Sequence, residues 1–514
     1  MFNPSRLVAT ALAVATIGII LLGGIKVKAS ANPNADGAHT LKVLLGGDGK
    51  AVYSEECGVQ SLETVLAAVL GQLVYSSESF ELKPGLLSRF HWDFDKKWYV
   101  LELRDELKFH NGRVVTSDDL EFSLLRGLLS KKGSWFKSFF ANVQGIAALE
   151  GKTRFQSGMV SGIRILDRRS LAIKLDAPNP SFLHSLARSY FSIVPKEALK
   201  DDLLTWKTYP IGAGPYKITL ASKDGSTIDL EKVDEGGTGP KTIKVTSRGA
   251  AKDADLVIGA PTGGTSLSEE VSSVANSVTG IYFNFDNELG RDLSFRKAIA
   301  LAVSRKPLTA NVTSYAPNSE FLASQFWGRA KLEEHQDIQK ARQELQKLAG
   351  KLPKESIRVP VFNSEFGNGA LGKYLEVLAG QLKEIGLNAV FYKSEKKFFD
   401  QSDRGTPFRI ISLGADVADP VVLFGSFRSG SPMTPHYPPS DARYEELYNR
   451  AAHAESLDTK VLAVADLSRY FMEQVYAVPL FERHGIVGVN KARVKSLGPQ
   501  EGSLAVHLDR VVLQ

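Results

Sequence analysis

The chain has a single cysteine, Cys57, in 514 residues, which excludes an internal disulfide. A chain of this length can do without one, because its own core is big enough. No H-E-x-x-H, C-x-x-C, G-x-S-x-G or phosphate-loop pattern occurs. Gly47-Asp48-Gly49-Lys50 ends as a phosphate loop does. Leu44, however, stands where that motif needs glycine, and no Ser or Thr follows Lys50, so the stretch reads as a turn. The nine histidines are scattered without metal-ligand spacing. No lysine/arginine block dominates any segment, so a nucleic-acid surface is not supported. Nothing resembles a solenoid or a low-complexity array.

What is present fits a large soluble body. The apolar content is 43%, and 44 glycines with 22 prolines mark many tight turns. The length calls for two or three units, or one large two-lobed α/β body. The first 30 residues stand apart. Arg6 gives a short basic start, residues 7–25 carry no charge, and Val27 and Ala29 sit where an export cleavage site places small residues. Residues 1–29 therefore read as an export signal. Their removal takes Arg6, Lys26 and Lys28 and no acid, so the formal charge falls from +6 to +3. If the segment is retained, residues 7–25 are nearly long enough to tether the protein to a membrane. No cysteine near the boundary offers a site for lipid attachment.

The stretch FHNGRVVTSDDLEFSLLRG, residues 109–127, decides whether paired aspartates mean chemistry. Phe109-His110-Asn111-Gly112 ends a strand and turns, since Asn-Gly tolerates positive φ. Thr116 then acts as N-cap, which puts Asp119 at the reciprocal position of a capping box. Both Asp118 and Asp119 also suit the positive end of the helix. Leu120, Leu124 and Leu128 supply its apolar side. A cap is thus sufficient, and no spacing supplies further metal ligands.

Other elements follow from periodicity. Strands are expected at 39–47, on both sides of the turn 166–169, and at 357–362 and 387–392. Helices are expected at 61–74, 331–350, 370–385 and in the last third. Gly212 and Gly214 in TYPIGAGPYKITL permit a backbone path barred to larger residues, and Pro215 and Tyr216 lead into the next strand. The alternation of helix and strand argues an α/β body with substantial parallel pairing.

LRDELKFHNGRVVTSDDLEFSLLR resembles the signature of the bacterial extracellular solute-binding proteins of the peptide/nickel class (family 5), the capture components of ABC importers. Leu103, Arg104, Lys108, Phe109, His110, Gly112, Thr116, Asp119, Phe122 and Ser123 match its pattern. Gly212, Gly214, Pro215 and Tyr216 match a second motif. Asp292, Phe295, Arg296, Ala298, Ile299, Ala302 and Arg305 match a third, where the arginines are expected to anchor carbonyls. Val478-Pro479-Leu480-Phe481 resembles the family's closing strand.

The resemblance implies a two-lobed periplasmic binding protein fold of type II, large class, with an additional domain inserted in the first lobe. Lobe I would comprise residues 39–59, 190–270 and 486–514, the additional domain 60–189, and lobe II 271–485. It also implies a monomeric periplasmic receptor that traps peptides or similar-sized polar ligands. A membrane permease and ATPase subunits would be its partners, with no metal or organic cofactor and no chemistry on the ligand. ISLGADVADPVVLFGSF (411–427) aligns with the family's ligand passage. Asp416 matches the aspartate that meets a peptide's ammonium group, while Asp419-Pro420 reads as a loop anchor. Leu413 and Val417 replace the family's tryptophan and tyrosine and strip aromatic surface from the expected cleft. A membrane-tethered sensor or assembly protein is the alternative, and an exported hydrolase a remote one.

Overall fold

The structure, a computed structural model, describes residues 39–514 except 47–51, 53–59, 77–80, 94–97, 131–136, 141, 178, 234–235, 237, 261, 263–264, 311, 363–371, 395–404, 415–418, 430–440 and 500–505. The export segment, the turn at 47–50, Cys57, Asp416 and Val417 lie outside the described residues. Among the described residues no helix is long and apolar enough to cross a membrane.

Eleven strands form one mixed sheet, numbered here in chain order. They are β1 (Thr40–Leu45), β2 (Tyr216–Ala221), β3 (Thr227–Lys232), β4 (Thr242–Thr246), β5 (Leu256–Ile258) and β6 (Ser268–Phe283), followed by β7 (Tyr315–Pro317), β8 (Ile357–Phe362), β9 (Ala389–Ser394), β10 (Phe408–Leu413) and β11 (Ala477–Val489). Their order is β9-β8-β10-β6-β11-β5-β1-β4-β3-β2, with β7 on β11. A separate four-stranded antiparallel sheet joins 87–92, 98–103, 170–174 and 163–165.

Parallel pairing is less extensive than the alternation of elements suggested. It joins β1 to β5, and β8 to β9 and β10. The β2-β3-β4 meander and the long strands β6 and β11 pair antiparallel. Periodicity reports which face of a strand is buried and is blind to the direction of its neighbour.

Helices α1 (Gln60–Leu70), α2 (Ser117–Leu129), α3 (Leu293–Ala302), α4 (Ile338–Gln346), α5 (Lys373–Glu384), α6 (Ala442–Ala452) and α7 (Leu457–Glu473) cover the sheets. In α3, Phe295, Ala298, Ile299 and Ala302 are fully buried at helical spacing. Helix α4 is shorter than the 331–350 expected. Asp337 caps it, accepting from the Lys340 amide at 2.9 Å. Ahead of it, the Glu320 carboxylate accepts from the Ala330 and Leu332 amides at 2.8 and 3.0 Å and holds that stretch as a loop.

The apolar interior is divided. One cluster of buried residues draws on 41–258 and 487–511, so the stretches 60–189 and 190–258 share it. Two further clusters draw on 275–481. Strands β6 and β11 run from one group to the other, pairing from Ser268↔Val489 to Tyr282↔Ala477. Their ladder is regular at neither end of the crossing. It slips between Val271 and Ala275, between Ala275 and Ser277, and between Thr279 and Gly280.

Cap chemistry predicts an acid sensitivity. Asp441 caps α6, accepting from the Arg443 and Tyr444 amides at 2.8 and 3.1 Å, and its other oxygen accepts from the Tyr470 hydroxyl at 2.7 Å and from Tyr476. Burial pushes this carboxyl up, but the hydrogen bonds from the two tyrosines and the two amides outweigh it and hold it below its ordinary value. A carboxylate depressed in the folded state stabilises fully above its unfolded pKa, about 3.9, and loses that contribution as pH falls through the folded value. Urea unfolding at pH 7, 5 and 3 is expected to show Asp441→Asn destabilised alike at pH 7 and 5, with the difference narrowing at pH 3. A constant difference across that range would refute the assignment.

Candidate functional site

Strand β10 carries the start of the stretch 411–427, which resembles the family's ligand passage. Its last residues pair with β6, Leu413 opposite Val278 and Ser412 opposite Thr279. Leu413 is half-buried and packs on the third apolar cluster, whose aromatic members include Tyr282, Phe321, Phe424 and Phe427. Residues 415–418, which follow Gly414, lie outside the described set, and Asp419-Pro420 come next.

Asp419 is buried, 6% exposed, and all its contacts are structural. One carboxylate oxygen accepts from the Val421 amide at 3.0 Å. The other accepts from Lys460 Nζ at 2.8 Å and from the Ser181 hydroxyl. Lys460, on α7, is 1% exposed and donates three hydrogen bonds, the others going to Asn179 Oδ1 at 3.0 Å and Ser181 Oγ at 2.7 Å. An ammonium has three donors, and every one is used. The network spans the two groups of buried residues. Asn179 O accepts from Tyr99, and Phe182 packs on Tyr99 at 5.2 Å, both in the first cluster. Val421, Leu423, Ala463 and Val464 around Asp419 and Lys460 belong to the third.

Sequence reasoning missed Lys460. The signal was there: in LDTKVLAVADLSRYF, position 460 falls on the same helical face as Ala463, Val464, Leu467 and Phe471, and a lysine there needs a buried partner.

The motif residues meet each other. The His110 amide donates to Gly212 O at 2.9 Å, and its Nε2 donates to Gly214 O at 3.0 Å. Burial, the largest influence, holds the imidazole below its ordinary pKa against the pull of the Gly214 carbonyl, so the ring is neutral at pH 7. Gly112 carries φ +87° in the turn after Phe109, which is itself buried. The Thr116 amide donates to Asp119 at 2.9 Å, and Arg113 forks onto the same carboxylate at 2.7 and 2.9 Å. Gly214 lies so close to α1 that a Cβ would stand 2.6 Å from Ala68 O and Gly71 N. Tyr216 is fully buried, with its hydroxyl on Pro240 O at 2.7 Å. Arg296 donates to the carbonyls of Gln474, Gly290 and Arg291, and burial pushes its guanidinium down to about 10, still charged at neutral pH.

Charged residues sit midway along β11, where it crosses between the clusters, and His484 among them lies in this strand rather than in a loop. Glu482 accepts from the Ser324 amide and hydroxyl, each at 2.7 Å, and pairs with His484 at 3.2 Å. Burial raises its pKa, yet the hydrogen bonds of His484 and Ser324 keep it below the usual value. Arg483 reaches Ser412 Oγ at 3.4 Å, beside Leu413 on β10. An open cavity of about 430 Å³ lies at the opposite end of β10, lined by Asn287, Arg358, Tyr392, Thr406 and others. Among the described residues no group of three or more His, Cys, Asp or Glu is placed to hold a metal.

A mixed sheet is thus crossed by two long strands, with the charged side chains Glu482, Arg483 and His484 at the crossing. The model of the bacterial extracellular solute-binding proteins, family 5 (middle) matches residues 81–435, and the chain belongs to this family. It is 22% identical over 454 residues to the dipeptide-binding protein DppE of Bacillus subtilis, covering 80% of this chain and 81% of that one. The solved structure of the Escherichia coli murein tripeptide binding protein MppA superposes with a TM-score of 0.71 at 16% identity, covering 92% of this chain and 98% of the other. NikA of Brucella suis in complex with Fe(III)-EDTA gives 0.73 at 17%, covering 92% and 100%.

Proposed function

We propose that this protein is an exported periplasmic receptor that captures peptides or similar-sized polar solutes. It delivers them to the permease and ATPase subunits of an ABC importer. The observation that carries the reading is the division of the buried apolar residues into a group from 41–258 and 487–511 and groups from 275–481. In this reading the first group is lobe I with its inserted domain (60–189), the others are lobe II, and β6 and β11 are the hinge. The ladder slips between Val271 and Gly280 suit that role, since a strand pair with missing bonds bends at low cost. The solute class rests on the likeness to DppE, a dipeptide-binding protein, and to MppA, a murein tripeptide binding protein.

Asp416 is assigned to the ligand's ammonium group. A cation entering a closed cleft loses water, and a fixed carboxylate compensates through a charge-assisted hydrogen bond. In sequence Asp416 lies between Leu413, paired in the β10–β6 ladder, and the buried Asp419. Leu413 and Val417 leave that cleft with less aromatic surface than a tryptophan and tyrosine would, which favours backbone capture over side-chain stacking.

The test is native mass spectrometry of the freshly purified mature protein, followed by denaturing release. A heterogeneous set of short peptides is expected. Asp416→Ala is then expected to weaken their binding on the order of 10- to 100-fold, the loss of one hydrogen bond to a charged group. Release of a single non-peptide solute would sink the peptide assignment and leave the two-lobed receptor standing.

A further inference from the structure

We infer that Lys460 and Asp419, on one lobe, and Asn179 and Ser181, on the other, form a releasable latch that holds the receptor closed. The inference rests on the two-lobed reading above. The chemistry is divided in a way that suits reversible contact. Both charges of the buried pair lie on the same side, 2.8 Å apart. The far side contributes only neutral groups, Asn179 Oδ1 at 3.0 Å and Ser181 Oγ at 2.7 Å from Lys460 Nζ.

Consider what opening breaks. Lys460 loses two neutral acceptors and Asp419 loses the Ser181 hydroxyl, but the ammonium keeps its carboxylate. Water replaces the lost oxygens one for one, so no charge is stranded. A pair split between the lobes would behave differently, because separation would leave two unpaired ions at a freshly exposed surface. The arrangement therefore favours closure without welding it.

The far side is also preorganised. Asn179 Oδ1 accepts from the Ser181 amide at 3.2 Å, and its backbone carbonyl accepts from Tyr99, which is fully buried. The two acceptors are thus fixed before Lys460 arrives, and little side-chain entropy opposes contact.

The experiment is single-molecule energy transfer on the mature chain, stripped of co-purified solute by unfolding and refolding. Dyes are placed at Lys244→Cys and Lys383→Cys, both exposed, in a Cys57→Ser background. Asn179→Ala/Ser181→Ala is compared with the parent, because it removes the cross-lobe acceptors and leaves the Lys460–Asp419 pair intact. Two distance populations are expected, with the open-to-closed ratio raised on the order of tenfold in the double variant. An unchanged thermal midpoint would separate this from simple loss of stability. Two populations in the same ratio in both proteins would overturn the latch and keep the two lobes. A single population in both proteins would overturn the two-lobed reading itself.

Discussion

Lys460→Met is expected to lower the unfolding free energy by about 3–5 kcal/mol, the cost of leaving one member of a buried ion pair alone. Lys460 is 1% exposed and Asp419 6%, so neither charge has water to turn to. The variant removes three donors at once and leaves the Asp419 carboxylate with the Ser181 hydroxyl and the Val421 amide. Two neutral donors compensate a carboxylate only in part. Urea unfolding followed by far-UV circular dichroism measures the loss. The double variant Lys460→Met/Asp419→Leu is expected to recover most of it, because apolar residues often replace a buried pair with little cost. It should still fall short of the parent by about 1 kcal/mol for the lost hydrogen bond to the Val421 amide. A loss below about 1 kcal/mol in the single variant would mean that the pair is hydrated in solution, as surface pairs are.

Gly214→Ala is expected to cost about 3 kcal/mol or more, placing it with the severe core substitutions. The reason is contact rather than backbone angle. A Cβ at 214 would lie 2.6 Å from Ala68 O, 2.6 Å from Gly71 N and 2.7 Å from Val69 O, all of them backbone atoms that no rotamer change can move. The same backbone bonds Gly214 N to Val69 O at 3.0 Å and presents Gly214 O to His110 at 3.0 Å. Relief of the clash therefore breaks the clasp between the two family motifs. Gly112→Ala is the contrasting control. Its φ of +87° strains any side chain, yet nothing lies within 4 Å of the added carbon, so a cost of roughly 1–2 kcal/mol is expected. Thermal unfolding of both variants gives the comparison. Equal losses at the two positions would show that conformation, and not the approach to α1, makes glycine necessary at 214.

Local chemistry was the legible part of this chain. Thr116 and Asp119 stand three residues apart and form their cap within one helical turn, so the sequence carries all the information that the contact needs. The apolar faces of α2 and α3 were equally plain, because burial at a spacing of three and four residues is a property of the segment itself. The motif LRDELKFHNGRVVTSDD also led to the family, which the match over residues 81–435 establishes.

Long-range pairing was not legible, and for a physical reason. Lys460 meets Asp419 across 41 residues and Ser181 across 279, and neither distance leaves a trace in the periodicity of either segment. The same holds for His110 and Gly214, which lie 104 residues apart yet share a hydrogen bond. Strand direction escaped for a related reason: alternation marks a buried face, while the meander of β2, β3 and β4 and the return of β6 against β11 are decided by the path between strands.

The sequence by itself therefore determined the caps, the apolar faces and the family. Asp419 read as an anchor from the sequence, but only the tertiary structure decided that Lys460 is its buried partner and that Asn179 and Ser181 complete the network from the other group of buried residues. Neighbours within a turn of helix meet because the backbone brings them together. These four meet only because two apolar interiors, each drawn from distant stretches, come into contact and leave their polar groups no other partners.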